Sequence, residues 1–303
     1  MTAFKHLLIL SFFQLVLLGP KMIFATQQDS QITAGFHHMC SLSDEQVSCW
    51  GRNREGQLKV PALDHPSMIS AGAFHTCALA HNGVKCWGYS FFGQTKVPPL
   101  KNPKQVSAGG FHSCAIDDDG VKCWGSNESG QVTVPQLKNP KRVKAGDEHT
   151  CAIDDEGVKC WGRSFSEKNL FPIFTKSKKV KSRIVLPAFR NPKDMSAGND
   201  FTCVLLEKDV ICEGRSSEGQ TKVPQLQNPH MLDSGVYHSC ALDDDGVKCW
   251  GGNSFGQTDV PLLDNPYWIT TGDYFSCALD DTGLKCWGNN EYGQFSSKEG
   301  HDL

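Results

Sequence analysis

The chain has 303 residues, 39% of them hydrophobic and 21% charged, with a net charge of −3 at pH 7. That balance is ordinary for a globular protein and excludes a disordered or fibrous chain. Nucleic acid is not among its expected partners.

At the N-terminus, Lys5 precedes an apolar run from Leu7 to Leu18, broken by Gly19-Pro20, with Ala25 as a cleavage point. The run is short for a bilayer span and has the order of a secretory signal peptide, so residues 1–25 are expected to be removed. An uncleaved anchor is the alternative. No later stretch is apolar enough to cross a bilayer. The expectation is a secreted or periplasmic protein with residues 26–303 as a single domain.

The rest of the chain is one pattern repeated. In His112 to Gly125, two short β-strands flank an acidic turn. If Asp117 to Gly120 form the loop, Ile116 faces Val121, and the β period of two places Cys114 opposite Cys123. Directly opposed positions are close enough for a disulfide. The same hairpin occurs seven times. It pairs Cys40 with Cys49, Cys77 with Cys86, Cys114 with Cys123, Cys151 with Cys160, Cys203 with Cys212, Cys240 with Cys249 and Cys277 with Cys286. Successive units are 37 residues apart, except that the step from Cys151 to Cys203 carries 15 more. Seven local pairs behind an export signal indicate disulfides, whereas zinc knuckles bring their ligands closer together in sequence. The fifth unit lacks the His, the Asp-Gly turn and the Trp, yet keeps Cys203 and Cys212.

Other letters repeat around each pair. A small residue plus Gly comes first, as in Ala108-Gly109. A His two places before the first Cys follows in five units (His38, His75, His112, His149, His238), replaced by Phe201 and Phe275 in the others. Cys-Trp-Gly closes six hairpins, and Gly-Gln follows in six units. Each unit has room for about four strands: Lys104 to Ala108, His112 to Ile116, Val121 to Trp124 and Gln131 to Val134. Seven such units predict an all-β, seven-bladed β-propeller, with a β-solenoid as the alternative. In a propeller the small-Gly pairs would answer crowding at the axis, and the Trp would fill the space between blades.

The run Ala71-Gly72-Ala73-Phe74-His75-Thr76-Cys77-Ala78-Leu79, the Asp-Gly turn, the Trp-Gly and the Gly-Gln resemble the regulator of chromosome condensation family of seven-bladed propellers. The match covers nearly all of the mature chain. Family repeats usually continue Gly-Gln-Leu-Gly; here only Gly56-Gln57-Leu58 approaches this. The doubled cysteines and export signal look like the secreted bacterial branch. The resemblance implies partner binding through loops on one face, as in a secreted member that inhibits a β-lactamase, although no contact residue of that member can be matched. It also implies a rival activity, guanine-nucleotide exchange on a small GTPase, for which no exchange wedge aligns. A propeller-type glycan-active enzyme is a further rival.

The acidic turns, such as Asp117-Asp118-Asp119, lack the ligand ladder of a calcium loop and suit turn hydrogen bonds. The five histidines share a face with the cysteines and should pack between blades rather than converge on a metal. No nucleophile elbow, phosphate loop or zincin run occurs, so no catalytic residue, metal or cofactor is expected. The insertion at about 163–187 holds Arg163, Lys168, Lys176, Lys178, Lys179, Lys181 and Arg183 against Glu167 alone, with Phe171 and Phe174 among them. On an otherwise acidic chain this is a marked asymmetry. The strand directions put the insertion at the same end of the blades as Phe91, Phe92, Phe255 and Tyr292, opposite the acidic turns. The expected binding residues are therefore Phe92, Phe171, Phe174, Lys176, Lys178, Lys179, Lys181, Arg183, Phe255 and Tyr292. The expected partner is a protein, with an anionic polysaccharide or lipid as the alternative, bound by a monomer.

Overall fold

The structure, a computed structural model, describes residues 30–163, 184–185 and 191–295. The expected signal peptide and the insertion residues Phe171, Phe174, Lys176, Lys178, Lys179, Lys181 and Arg183 lie outside the described residues.

Each unit folds into an antiparallel sheet whose strands follow one another in sequence. The inner strands are Gln31–Ala34, Met68–Ala71, Gln105–Ala108, Arg142–Ala145, Asp194–Ala197, Met231–Ser234 and Trp268–Thr271. The middle strands are His38–Ser43, His75–Ala80, His112–Asp117, His149–Asp154, Phe201–Leu205, His238–Asp243 and Phe275–Asp280. The outer strands are Gln46–Gly51, Gly83–Gly88, Gly120–Gly125, Gly157–Gly162, Val210–Gly214, Gly246–Gly251 and Gly283–Gly288. All seven inner strands line a central channel with a cavity of about 420 Å³, so the sheets are the blades of a seven-bladed propeller.

Two sequence expectations change in detail. Among the described residues six blades have three strands rather than four, and only the fourth gains a short outermost strand, Ile184–Val185. Gln131 to Val134 is a turn because its amides are already satisfied locally. Val132 N–H donates to Asn127 Oδ1, and Thr133 N–H donates to the Gly130 carbonyl. The hairpin loop is also tighter: Asp117 pairs with Gly120, which leaves two residues, Asp118 and Asp119, in the turn. Gly120 there has φ of 116°, a conformation that favours glycine.

The cysteines face each other across the hairpin in every blade, as the register requires. All seven expected disulfides are formed. Cys40 is bonded to Cys49, Cys77 to Cys86, Cys114 to Cys123 and Cys151 to Cys160. Cys203 is bonded to Cys212, Cys240 to Cys249 and Cys277 to Cys286. Their Cα–Cα separations are 4.0 to 4.1 Å, and no described cysteine is free.

The core lies between blades rather than within them. Cys40 and Leu42 of blade one pack with Ile69, Ala78 and Trp87 of blade two, and the arrangement recurs around the ring. Three polar links accompany it. His112 Nε2 lies 2.8 Å from Thr150 Oγ1 of the next blade. Thr150 donates to the Gln131 carbonyl at 2.8 Å, so the His must be the donor to Thr150. Trp161 Nε1 donates to that same carbonyl at 2.9 Å. Inner-strand crowding explains the small-Gly pairs: a Cβ on Gly72 would collide with the Gly109 carbonyl of the next blade.

Among the described residues no strand is shared between the first and last blades. Closure uses side chains instead. Trp50 Nε1 donates to the Gln294 carbonyl at 2.6 Å, Trp268 Nε1 to the Ile32 carbonyl at 2.9 Å, and Ala34 N–H to Thr270 Oγ1 at 3.0 Å. Here the His–Thr link becomes apolar, with Phe275 and Met39 fully buried in one cluster.

Candidate partner-binding face

The two ends of the blades differ. At one end the hairpin turns are pinned down. Asp117 accepts from Lys101 N–H, Asp119 N–H and Lys122 Nζ, and Asp154, Asp243 and Asp280 do the same in their blades. These carboxylates hold the chain entering their four blades and are occupied by the fold itself. Among the described residues no group of three or more His, Cys, Asp or Glu could hold a metal ion.

At the other end, three residues join each inner strand to its middle strand. The Gly comes first and the second residue rings the channel mouth. The third stands further out: His37, Phe74, Phe111, Glu148, Asp200, Tyr237 and Tyr274 in blade order. Five of these are aromatic rings on blades six, seven, one, two and three. The two acids occupy blades four and five. The loops after the outer strands lie on the same face, because Tyr89 N–H bonds the Phe74 carbonyl and Ser126 N–H the Phe111 carbonyl.

The rings form a connected surface. Tyr292 lies 4.7 Å from His37, Phe36 5.6 Å from Phe74, and Phe74 5.9 Å from Phe111. Phe92 is 5.5 Å from Phe111 and 5.0 Å from Phe91, which is 79% exposed. Arg52 stacks over both Phe74 and Tyr292, bridging blades one, two and seven. A second group joins Tyr237, Tyr274 and Phe255, with Tyr274 5.2 Å from Tyr237 and 4.8 Å from Phe255, itself 49% exposed.

The acidic sector is electrostatically tense. Asp147 sits beside the channel mouth with Asn199 Nδ2 as donor to Oδ2, while its Oδ1 is buried without a partner among the described residues. Burial, with Glu148 and Asp200 adding repulsion, pushes the Asp147 carboxyl up to about 6. Burial likewise raises Asp273 to about 7, with Asp147 contributing. Arg163, the first residue of the insertion, pairs with Glu148 at 2.9 Å. The insertion is therefore anchored to this sector at its start.

Of the residues singled out from sequence, Phe92 and Tyr292 join the first aromatic group and Phe255 the second. The larger contributors, Phe74, Phe111, Tyr237 and Tyr274, are not among those expected. Their signal is present all the same: aligning the units puts a ring one place before the His position in five of seven. That place is in a connection, where the period of two assigns no face.

Seven radial sheets about one channel define a seven-bladed β-propeller. Five stretches, residues 69–94, 104–131, 141–166, 232–257 and 269–294, match the regulator of chromosome condensation (RCC1) repeat, and the first and fifth blades share its strand register. The chain carries RCC1 repeats arranged as a seven-bladed propeller. No curated protein sequence matches it. Among solved structures it is similar to the ectodomain of the Physcomitrella patens receptor kinase CR4, at 24% identity over 86% of this chain and 73% of that one, TM-score 0.66. It is also similar to the CRINKLY WD40 ectodomain of the Arabidopsis thaliana receptor kinase ACR4, at 25% identity over 85% and 94%, TM-score 0.65. Yeast RCC1 (Prp20), solved with Kap60 bound, matches at 18% identity over 86% and 80%, TM-score 0.66.

Proposed function

We propose that the protein is an exported binding module that holds a protein partner on the aromatic face of its propeller. The carrying observation is the chain of rings from Tyr292 through His37 and Phe74 to Phe111, flanked by exposed Phe91 and Phe255 and bordered by the acidic sector. Aromatic side chains give large contact area at low entropic cost and dominate protein interfaces. Export is supported by seven disulfides with no free described cysteine, a pattern of oxidising compartments. The likeness to the ACR4 ectodomain supports the same setting. The basic insertion, beginning at Arg163 beside Glu148, would add charge steering to one side of the contact.

The test compares partner capture by the mature, disulfide-bonded protein with capture by variants, followed by affinity measurement on the purified partner. Phe74→Ser with Phe91→Ser should weaken binding at least tenfold. Leu262→Ser, on the rim near the acidic turns, should leave it unchanged. A partner that binds the double variant as well as the wild type, or that depends on Leu262, refutes the assignment of the face.

A further inference from the structure

The channel wall is sealed by a repeated bond. The third residue of one inner strand accepts the last N–H of the next. Thr33 accepts from Ala71, Ser70 from Ala108, Ser107 from Ala145 and Thr270 from Ala34, each at 3.0 Å. Asp233 takes the same role for Thr271 at 2.8 Å. Between blades five and six Ser196 instead donates to Asp233 Oδ1 at 3.2 Å.

Between blades four and five the equivalent residue is Lys144. An ammonium can only donate. The amide waiting there, Ala197 N–H, has no acceptor among the described residues, and Lys144 has no ion pair or hydrogen bond among them. Arg142 precedes Lys144 by two places on the same strand, so both project to the channel side, and it too forms no ion pair among the described residues. None of the three channel acids, Asp147, Asp194 and Asp233, forms an ion pair with them among the described residues. Asp233 accepts from Ser196, Thr270 and both donors of Thr271, Asp194 Oδ1 accepts from Met195 N–H, and Asp147 Oδ2 accepts from Asn199 Nδ2. The junction is also wider: Asp147 N lies 3.5 Å from the Gly198 carbonyl, where the preceding junction gives 3.0 Å. Lys144, Arg142 and the Ala197 amide, all donors, therefore gather at this junction, the one where the residue in the sealing place is a cation.

We propose that this gap binds a small oxyanion, with one oxygen on the Ala197 amide in place of the missing hydroxyl, others on the Lys144 ammonium, and Arg142 toward the entrance. The chemical class is a phosphoryl, sulfuryl or carboxylate group, free or borne by a ligand small enough for a cavity of about 420 Å³. The site is separate from the aromatic face and does not depend on that reading.

The experiment uses the intact disulfide-bonded protein, with inorganic phosphate, sulfate and acetate as probes. Titration calorimetry and thermal melts are run against sodium chloride at equal ionic strength. Phosphate or sulfate should bind and raise the melting temperature of the wild type with rising concentration. Lys144→Met should weaken binding at least tenfold and abolish that rise. Lys144→Ser, which restores the hydroxyl acceptor, should abolish it too, but should melt higher than the wild type without anion. An equal response to acetate points to a carboxylate, and a response to phosphate and sulfate alone to the tetrahedral groups. A wild type that responds no more to any probe than to chloride overturns the proposal, as does a Lys144→Ser protein that responds like the wild type.

Discussion

The buried histidines His75, His112 and His238 are fixed in one state by their partners, since the hydroxyl each meets through Nε2 donates to a Gln carbonyl. Their Nδ1 atoms, like that of His38, are buried without a partner among the described residues. Protonating Nδ1 would place a charge in an apolar seam, so burial lowers His38, His75, His112 and His238 to about 3 and His149 to about 4. The unfolded chain takes up these protons below about pH 6.5, the folded chain only near 3 to 4. Stability is therefore full above pH 6.5 and falls as the pH drops toward 4. Asp147 and Asp273 work in the opposite direction: raised in the folded state to about 6 and 7, they favour folding at lower pH. Five histidines outnumber two carboxylates, so the melting temperature should fall on acidification below pH 6. Each histidine contributes up to roughly 1.4 kcal/mol per pH unit. His112→Phe, the residue type that blades five and seven carry at this place, should make the decline between pH 6 and 4 shallower by one proton. Melts across that range measure it, and an unchanged slope would show that His112 is not the titrating group.

A single hairpin carries two independent staples. The disulfide crosslinks its strands, and the first acid of the turn ties it to the incoming chain. Cys114→Ser with Cys123→Ser should cost about 2–3 kcal/mol, limited because the closed loop is short. Asp280→Ala should cost about as much or more, since it strands the amides of Asp264 and Thr282 and the ammonium of Lys285. Denaturant titration of both variants compares them directly. The register of this hairpin is legible in the sequence, because Cys, Ile and Val at alternate places allow only one pairing. The Trp between blades is legible for the same reason: its place on the strand fixes its face. The fourth strand is not, because Gln131 to Val134 alternates like a strand while its backbone serves a turn. That turn is set by side chains. Gln131 Oε1 accepts Ser129 N–H, and its carbonyl accepts Trp161 and Thr150. The bonds to that carbonyl join residues 19 to 30 places apart and leave no local period to read. The aromatic face is only partly legible, since its rings come from connections in different units and meet only when the ring closes.

The whole ring has one weak seam, and it is not where the chain ends meet. Most neighbouring blades share an indole bonded to a Gln carbonyl and an inner-strand seal. Between blades four and five the fourth unit lacks the Gly-Gln and the fifth lacks the Trp, so donor and acceptor are missing together. Lys144 removes the seal at the same junction. What remains among the described residues is the long Asp147 N–H to Gly198 carbonyl contact at 3.5 Å, His149 to Thr202 at 2.8 Å, Cys151 to Thr202 at 3.4 Å, Asn199 to Asp147 at 3.0 Å and the apolar packing of Cys151 and Ile153 with Met195 and Val204. The junction of blades seven and one has two indole bonds and the seal, and adds the Phe275–Met39 contact. A ring opens where the least is lost, and local openings sample the least stable contacts first. Native-state hydrogen exchange should therefore find the inner-strand amides of blades four and five, Ala197 among them, exchanging faster than Ala34 and Thr271 near the chain ends. Trp50→Phe, which removes one closing bond worth about 1 kcal/mol, should narrow that difference without reversing it. Slower exchange at Ala197 than at Ala34 in the wild type would place the seam at the termini and contradict the geometry of Lys144.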